Sequence, residues 1–318
     1  MTLTPQAEAF VAEWRSPSPF VTAHTSGSTG SPKEIRLHKA DMRASAHATL
    51  RHFGITSDSL LHLPLSPSYI AGKMHIVRAI EAGCSLITEP PSNHPLSTLP
   101  DGFASRIDLL PVVPSQIAGL LASPHLGLVG SLIIGGAPLS PADEAAVNAA
   151  GVNAYATYGM TETCSHVALR RLGHPSFTAL PGFTFTTDSR GCLVITTGTM
   201  SFGRLVTNDI VDLLSDDSFI WRGRFDNVIN SAGLKIHPEE LERLIAPHIP
   251  QGTRFYVTSR QSRRWGQEAI LVTDNPSVTK AILDTIEPIL PPHTCPKDVL
   301  TDRQMALTSS QKIIRRRF

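Results

Sequence analysis

Charge of one sign is the first thing this sequence lacks. Its 318 residues carry 28 Lys+Arg against 27 Asp+Glu, a formal net charge of +1. That balance excludes a nucleic-acid binder held by bulk positive charge, and equally an acidic solvating tail. Aromatic residues make up only 6%, which argues against rows of base-stacking platforms. No apolar run approaches the ~18 residues of a membrane span, and the basic n-region of a signal peptide is missing, the first cationic side chain being Arg15. Cysteine is scarce as well. Cys84, Cys164, Cys192 and Cys295 stand far apart with no CxxC pair. Disulfides and a zinc site are therefore disfavoured, and buried thiols in a reducing cytoplasm fit best.

What is present is a globular composition. Hydrophobic residues reach 41%, and 25 prolines mark many loop boundaries, where sites gather. The length allows one large domain or two ordinary ones. Ala7, Phe10, Val11 and Trp14 follow helical spacing, broken at Ser16–Pro19. A hairpin interrupted by a Gly/Ser/Thr loop spans Val21–Leu37, and a helix follows over Lys39–Phe53. Strands are predicted at Leu60–Leu65, Ser85–Thr88, Ile107–Val113, Leu132–Ile134 and Val152–Thr157, alternating with helices at Gly72–Ala82, Pro114–Ala122 and Pro141–Ala150. Such alternation predicts a parallel sheet covered by helices, with ligands beyond the carboxyl ends of its strands. Past Gly182, short runs at Phe183–Thr186, Leu193–Thr196, Leu205–Leu214 and Phe219–Trp221 have antiparallel texture. From Arg224 a smaller α+β unit is expected, with strands at Val228–Asn230, Leu234–Ile236, Arg254–Thr258 and Glu268–Thr273 and helices from Pro238 and over Val278–Ile289.

The loudest segment for chemistry is Thr25-Ser26-Gly27-Ser28-Thr29-Gly30-Ser31-Pro32-Lys33. It fails the GxxxxGK[ST] spacing, so a P-loop NTPase is rejected. Hydroxyls, glycines that expose N–H groups and a terminal ammonium still suit a polyphosphate. A flexible surface turn is the ordinary alternative for such a run.

This run resembles the phosphate loop of the adenylate-forming (AMP-binding) superfamily, which holds acyl-CoA synthetases, peptide-synthetase adenylation domains and luciferases. Further segments follow in that superfamily's order. Gly135-Gly136-Ala137-Pro138-Leu139 looks like its adenine-flanking loop. Asn153–Thr163, reading NAYATYGMTET, resembles its aromatic-Gly-x-Thr-Glu motif. The resemblance implies that Tyr158, Gly159 and Met160 line the nucleotide, with Tyr158 on adenine, Thr161 on the α-phosphate and Glu162 on Mg²⁺. Thr207-Asn208-Asp209 resembles its Thr-Gly-Asp, with Asp209 on the ribose and Asn208 in place of the glycine. Fifteen residues on, Gly223-Arg224-Phe225-Asp226 and the continuation NVINSAGLKIHPEELE resemble its hinge motif. That implies Arg224 on ribose, Asp226 as a pivot, and the loop around Gly233 near the thiol acceptor. Leu307–Ile313 resembles its Thr-x-x-Gly-Lys-Ile segment, which makes Lys312 the implied catalytic lysine, although Gln311 stands where glycine is usual. A solvated basic tail with Arg315, Arg316 and Arg317 is the alternative for Lys312.

What the resemblance implies is an α/β adenylate-forming fold. A large AMP-binding domain over residues 1–223 would precede a small mobile domain over 226–318, hinged near Asp226. The implied activity is an ATP- and Mg²⁺-dependent ligation of a carboxylic acid to coenzyme A through an acyl-adenylate. Around Leu63–Met74 the sequence resembles the short o-succinylbenzoate–CoA ligases of menaquinone synthesis, in Tyr69-Ile70-Ala71-Gly72-Lys73 followed by Val77-Arg78-Ala79. Tyr69, Gly72, Lys73 and Arg78 are then expected at the acid, with Lys73 or Arg78 answering a second carboxylate. Charges of a helix facing water are the alternative reading of both. Another aryl or acyl acid, or an adenylate-binding protein that no longer catalyses, are the alternative functions. Only 24 residues precede Thr25, whereas the superfamily's members carry well over a hundred there. A largely missing N-terminal subdomain is therefore expected, and the surface it would bare is a candidate homodimer contact.

Overall fold

The computed structural model describes residues 2–24, 34–308 and 313–318. The run Thr25–Lys33 and Lys312 lie outside the described residues, so the expectations placed on them concern the sequence alone.

Helix α1 (Pro5–Arg15) opens on Thr4, whose hydroxyl accepts from the Ala7 N–H, with proline in its first turn. It buries Ala7, Phe10, Val11 and Trp14, the face its spacing predicts. Strands β1 (Phe20–His24) and β2 (Glu34–His38) pair antiparallel, and α2 (Lys39–Phe53) follows directly, closed by Gly54 at φ 63°. Strand β3 (Leu60–Leu63), helix α3 (Ile70–Ala82) and strand β4 (Ser85–Thr88) make a parallel β-α-β unit. Next come β5 (Leu110–Val112), α4 (Ile117–Leu121), β6 (Leu132–Ile134), α5 (Pro141–Ala149) and β7 (Ala154–Gly159). β5, β6 and β7 are parallel, and a bridge from Leu61 to Leu109 brings β3 alongside. Every residue of β5 and β6 is buried, as both faces of a covered parallel sheet require.

At β8 (His166–Arg171) the chain turns back and the pairing becomes antiparallel. β9 (Phe177–Ala179), β10 (Phe183–Thr187), β11 (Cys192–Thr197), β12 (Arg204–Leu213) and β13 (Ser218–Arg224) complete a nine-stranded mixed sheet of order β10-β11-β12-β13-β9-β8-β7-β6-β5. A second sheet holds β14 (Ile229–Ser231), β15 (Leu234–Ile236), β16 (Phe255–Ser262), β17 (Gly266–Thr273) and β18 (Val299–Thr301), backed by α6 (Pro238–Ile245) and α7 (Lys280–Ile286). Its apolar core, with Ile229, Ile236, Leu241, Ile245, Val257 and Leu271 among its members, draws on no residue before Ile229 among the described residues.

Two differences from the sequence-based expectation, and one from an alternative reading, have physical reasons. The helix expected from Pro114 starts as a 3₁₀ turn and becomes α-helical only at Ile117. There the Gln116 side chain accepts from the Val113 N–H and donates to the Pro64 and Ser92 carbonyls. The helix expected over Val278–Ile289 runs from Lys280 to Ile286, ending just before Pro288. The basic tail is not solvated as a whole. Arg315 forks onto Glu242 at 2.5 and 2.7 Å, the Thr258 hydroxyl donates to the Arg316 carbonyl, and the Phe318 N–H donates to the Ser259 carbonyl.

Candidate active site

Three of the described segments singled out by sequence lie at the carboxyl ends of parallel strands. Gly135-Gly136-Ala137 follows β6, Tyr158 and Gly159 end β7, and Leu65–Tyr69 follows β3. Gly136 takes φ 89°, which lets the chain turn sharply out of β6. Residues 160–165 form a turn rather than a helix start, so Thr161-Glu162 is not a capping pair. A Cβ on Gly159 would lie 2.2 Å from the Ser165 carbonyl oxygen and 2.5 Å from His166 Cα. Only glycine lets that turn fold back against the strand it leaves. The Thr163 hydroxyl pins it, its single proton shared between the Ser165 and Met160 carbonyls at 2.7 and 3.0 Å while its oxygen accepts from the Met160 N–H.

Asp209 is the centre of the polar cluster. Only 6% exposed, it accepts the Tyr158 hydroxyl at 2.8 Å on one carboxylate oxygen and the Trp221 indole N–H at 3.1 Å on the other. The Arg224 guanidinium stands 3.8 Å from it. The fifteen-residue spacing of Asp209 and Arg224 has a simple cause: they are direct cross-strand partners in the β12–β13 hairpin. Burial first, and the Asp209 charge next, push the Tyr158 phenol well above its usual value, so it remains a neutral donor. Its ring packs edge-on against Phe219 and Phe177, at 5.1 and 5.8 Å between centroids. Asp226 is exposed and accepts from Arg224 at 3.0 Å and from the Asn208 amide at 3.2 Å. The side chain at 208, where the superfamily has glycine, is thereby engaged with the residue expected to pivot. Glu162 is exposed on its turn with no ion pair among the described residues.

Helix α3 carries the residues expected at the acid. A Cβ on Gly72 would sit 2.3 Å from the Ser66 carbonyl, so glycine is what lets α3 start against that segment. Tyr69 is 42% exposed. Lys73 and Arg78 differ sharply. The Lys73 ammonium is 3.2 Å from Glu13 of α1 and lies over the Phe10 ring at 4.4 Å. Arg78, only 1% exposed, donates to the Ser165 hydroxyl at 2.8 Å, while its Nε has no hydrogen-bond partner. No carboxylate stands within ion-pair distance of it among the described residues, and the masked stretches contain no Asp or Glu. Burial with nothing to offset it pushes the guanidinium down to about 9. His75 and His166, both buried beside it, are held well below the usual imidazole range by burial first and Arg78 second.

Trp221, Ser165, His166 and Glu13 were not foreseen as site residues. Of these, only Trp221 left a signal, as an inward position on the strand that ends in Arg224.

This is an α/β protein with its polar site beyond the ends of its parallel strands, the position where such sheets bind ligands. A model of the family described as "AMP-binding enzyme" matches residues 4–197, more than half of the chain, and the chain belongs to that family. It is 32% identical to the solved acyl-CoA synthetase (AMP-forming)/AMP-acid ligase II-like protein of Dyadobacter fermentans, covering 97% of this chain and 91% of that one, with a TM-score of 0.66. It is 24% identical to a 2-succinylbenzoate–CoA ligase of Bacillus cereus over 98% of this chain and 72% of that ligase. The fold of the Bacillus subtilis o-succinylbenzoate coenzyme A synthetase, solved with ATP and magnesium ion, superposes with a TM-score of 0.79 at 20% identity, covering 92% of this chain and 68% of that one. The chain also spans 4% of the length of a far longer peptide synthetase that it matches. Among the described residues no helix is long and apolar enough to cross a membrane.

Proposed function

We propose that this chain is an AMP-forming acid–thiol ligase that activates a diacid, o-succinylbenzoate, with ATP and passes it to coenzyme A. What supports the diacid is Arg78, a buried cation without a counter-ion, bonded to the turn that follows Tyr158 and Gly159. A buried charge of that kind is costly until an anion meets it, and Lys73 is already answered by Glu13. Arg78 is therefore the residue that takes the second carboxylate, and Lys73 braces α1 against α3.

In the first half-reaction a carboxylate oxygen of the acid attacks the α-phosphorus of ATP. The acyl–phosphate bond forms, the α–β anhydride bond breaks, and pyrophosphate leaves. The nucleophile is already anionic, so no general base is required. Positioning and charge neutralisation carry the step. Asp209 holds the ribose hydroxyls, with Tyr158 and Trp221 fixing its carboxylate. By the sequence resemblance, Thr25–Lys33, Thr161 and Lys312 are the groups assigned to the phosphates. Glu162, an exposed carboxylate on its turn, would hold magnesium, and no group of three histidine, cysteine or acidic ligands exists among the described residues to hold the ion alone. When bound, the metal would supply neutralisation of the phosphate charge. In the second half-reaction the sulfur of coenzyme A attacks the acyl carbon; the C–S bond forms, the acyl–phosphate C–O bond breaks, AMP departs with its phosphate oxygen and the thiol proton passes to solvent. The unit from Ile229 onward turns about Asp226 between the two.

ATP–pyrophosphate exchange over a panel of carboxylic acids tests the reading. Exchange dependent on o-succinylbenzoate is expected; exchange with simple aryl or fatty acids but none with the diacid would sink it.

A further inference from the structure

We propose that His166 is a positioning residue: a neutral imidazole of fixed tautomer that aims Arg78 at the acid through Ser165. The inference rests on the function proposed above.

Four hydrogen bonds run in line from α3 to α2. Arg78 Nη2 donates to Ser165 Oγ at 2.8 Å. Ser165 Oγ and His166 Nδ1 are 3.4 Å apart, His166 Nε2 and Thr49 Oγ1 are 3.1 Å apart, and Thr49 Oγ1 donates to the Ser45 carbonyl at 3.2 Å. Proton counting fixes the direction of the middle two. Thr49 has one proton and it goes to Ser45, so its oxygen accepts from His166 Nε2–H. Nδ1 is then bare and accepts the Ser165 proton, and the Ser165 oxygen is left to accept from Arg78. No member has a proton too many or too few, provided His166 is neutral.

Charge favours that state. Arg78, His75 and His52 all face His166, and no carboxylate does. A second proton on the imidazole would place two buried cations a serine apart. Thr49 is fully buried, Arg78 is 1% and His166 6% exposed, so water does not stand in for a missing link. The relay also explains why Arg78 does not relax toward solvent when no acid is bound: its guanidinium is held from one end while Nε stays unpartnered. Because Ser165 closes the turn that begins at Met160, the same contact ties the acid-facing cation to the nucleotide-facing loop.

The test uses the full-length enzyme with o-succinylbenzoate and with 4-oxo-4-phenylbutanoate, the same skeleton without the ring carboxylate. His166→Phe keeps a ring and removes both nitrogens. We expect about a tenfold rise in KM for the diacid, with kcat and the KM for the monoacid kept, as for the loss of one charge-assisted contact. His166→Asn, which restores an acceptor for Ser165, recovers part of that loss. In ¹⁵N-histidine spectra, the imidazole signal that vanishes in both variants shows a protonated Nε2 and no titration between roughly pH 5 and 8. An equal KM rise for both acids, an unchanged diacid KM, or a titrating signal overturns the proposal. A wild-type enzyme indifferent to the ring carboxylate overturns the diacid reading and this proposal together; a discriminating wild type with an unaltered His166→Phe overturns this proposal alone.

Discussion

The part of the site proposed for the nucleotide and the part proposed for the acid are built on opposite plans. Around Asp209 every strong polar group already has a protein partner: the tyrosine hydroxyl, the indole N–H and, further off, Arg224 all turn toward one carboxylate. Around Arg78 the cation is buried, bonded by a single serine on one side and left unpartnered at Nε. The first arrangement is assembled before any ligand arrives, which is preorganisation. The second leaves a buried cation with no carboxylate partner among the described residues, the feature on which the diacid proposal rests. A site read only by counting satisfied hydrogen bonds would find the Asp209 end and pass over the Arg78 end.

The largest expected effect lies on the phosphates. Lys312→Ala is expected to slow adenylation by about 10²–10³, as loss of one charge stabiliser does, while the variant still turns a supplied acyl-adenylate into thioester. Single-turnover measurements of each half-reaction separate the two; equal loss of both with an intact fold would remove Lys312 from that role. Next comes Asp209→Asn. It keeps the shape but not the charge, and the KM for ATP is expected to rise by about 10- to 100-fold with the KM for the acid unaltered. If the acid KM moves as much, the two halves are not separate in the way their hydrogen bonding indicates.

The contrast also explains what the sequence made legible. The nucleotide side is encoded in short local runs whose spacing is fixed by strand geometry. Asp209 and Arg224 face each other across one hairpin, so their separation survives in the sequence as a count of residues. The parallel core shows equally well, because fully buried strands such as Leu132–Ile134 are short apolar runs between helices. The acid side is encoded in long-range contacts that leave no spacing. Lys73 and Arg78 are five apart on one helix and indistinguishable by pattern. Glu13 from α1 and Ser165 from the β7–β8 turn decide between them. His166 follows the motif at Tyr158–Thr163, yet its meaning depends on Thr49, 117 residues away. Strands β8, β9 and β18 escaped for the same reason: short and partly polar, they are set by neighbours distant in sequence.

Arg78→Met sharpens the contrast from the acid side. The KM for o-succinylbenzoate is expected to rise about tenfold or more, with the KM for ATP kept. Stability is expected not to fall, because replacing a buried uncompensated cation by an apolar chain of similar length is neutral or favourable. Thermal melts beside the kinetics check this. A lower Tm with an unchanged KM would make Arg78 a structural residue and return the second carboxylate to another group.

The smallest effect belongs to the other cation of the same helix. The side chains of Lys73 and Glu13 are 11% and 36% exposed, and the ammonium also covers the Phe10 ring. Glu13 has a further task, accepting the Thr22 N–H at 3.2 Å and so fixing the start of the first hairpin strand to α1. Lys73→Met retains most of the aliphatic contact with Phe10 and removes a partly solvated pair, a change worth about 1 kcal/mol or less. A shift of about 2–4 °C in Tm at most is expected for a chain of this size, with the KM for the diacid within about twofold of the wild type. A diacid KM that rises as far for Lys73→Met as for Arg78→Met would mean that Glu13 releases the lysine when substrate enters. The difference between the two cations would then be one of the ligand-free state only.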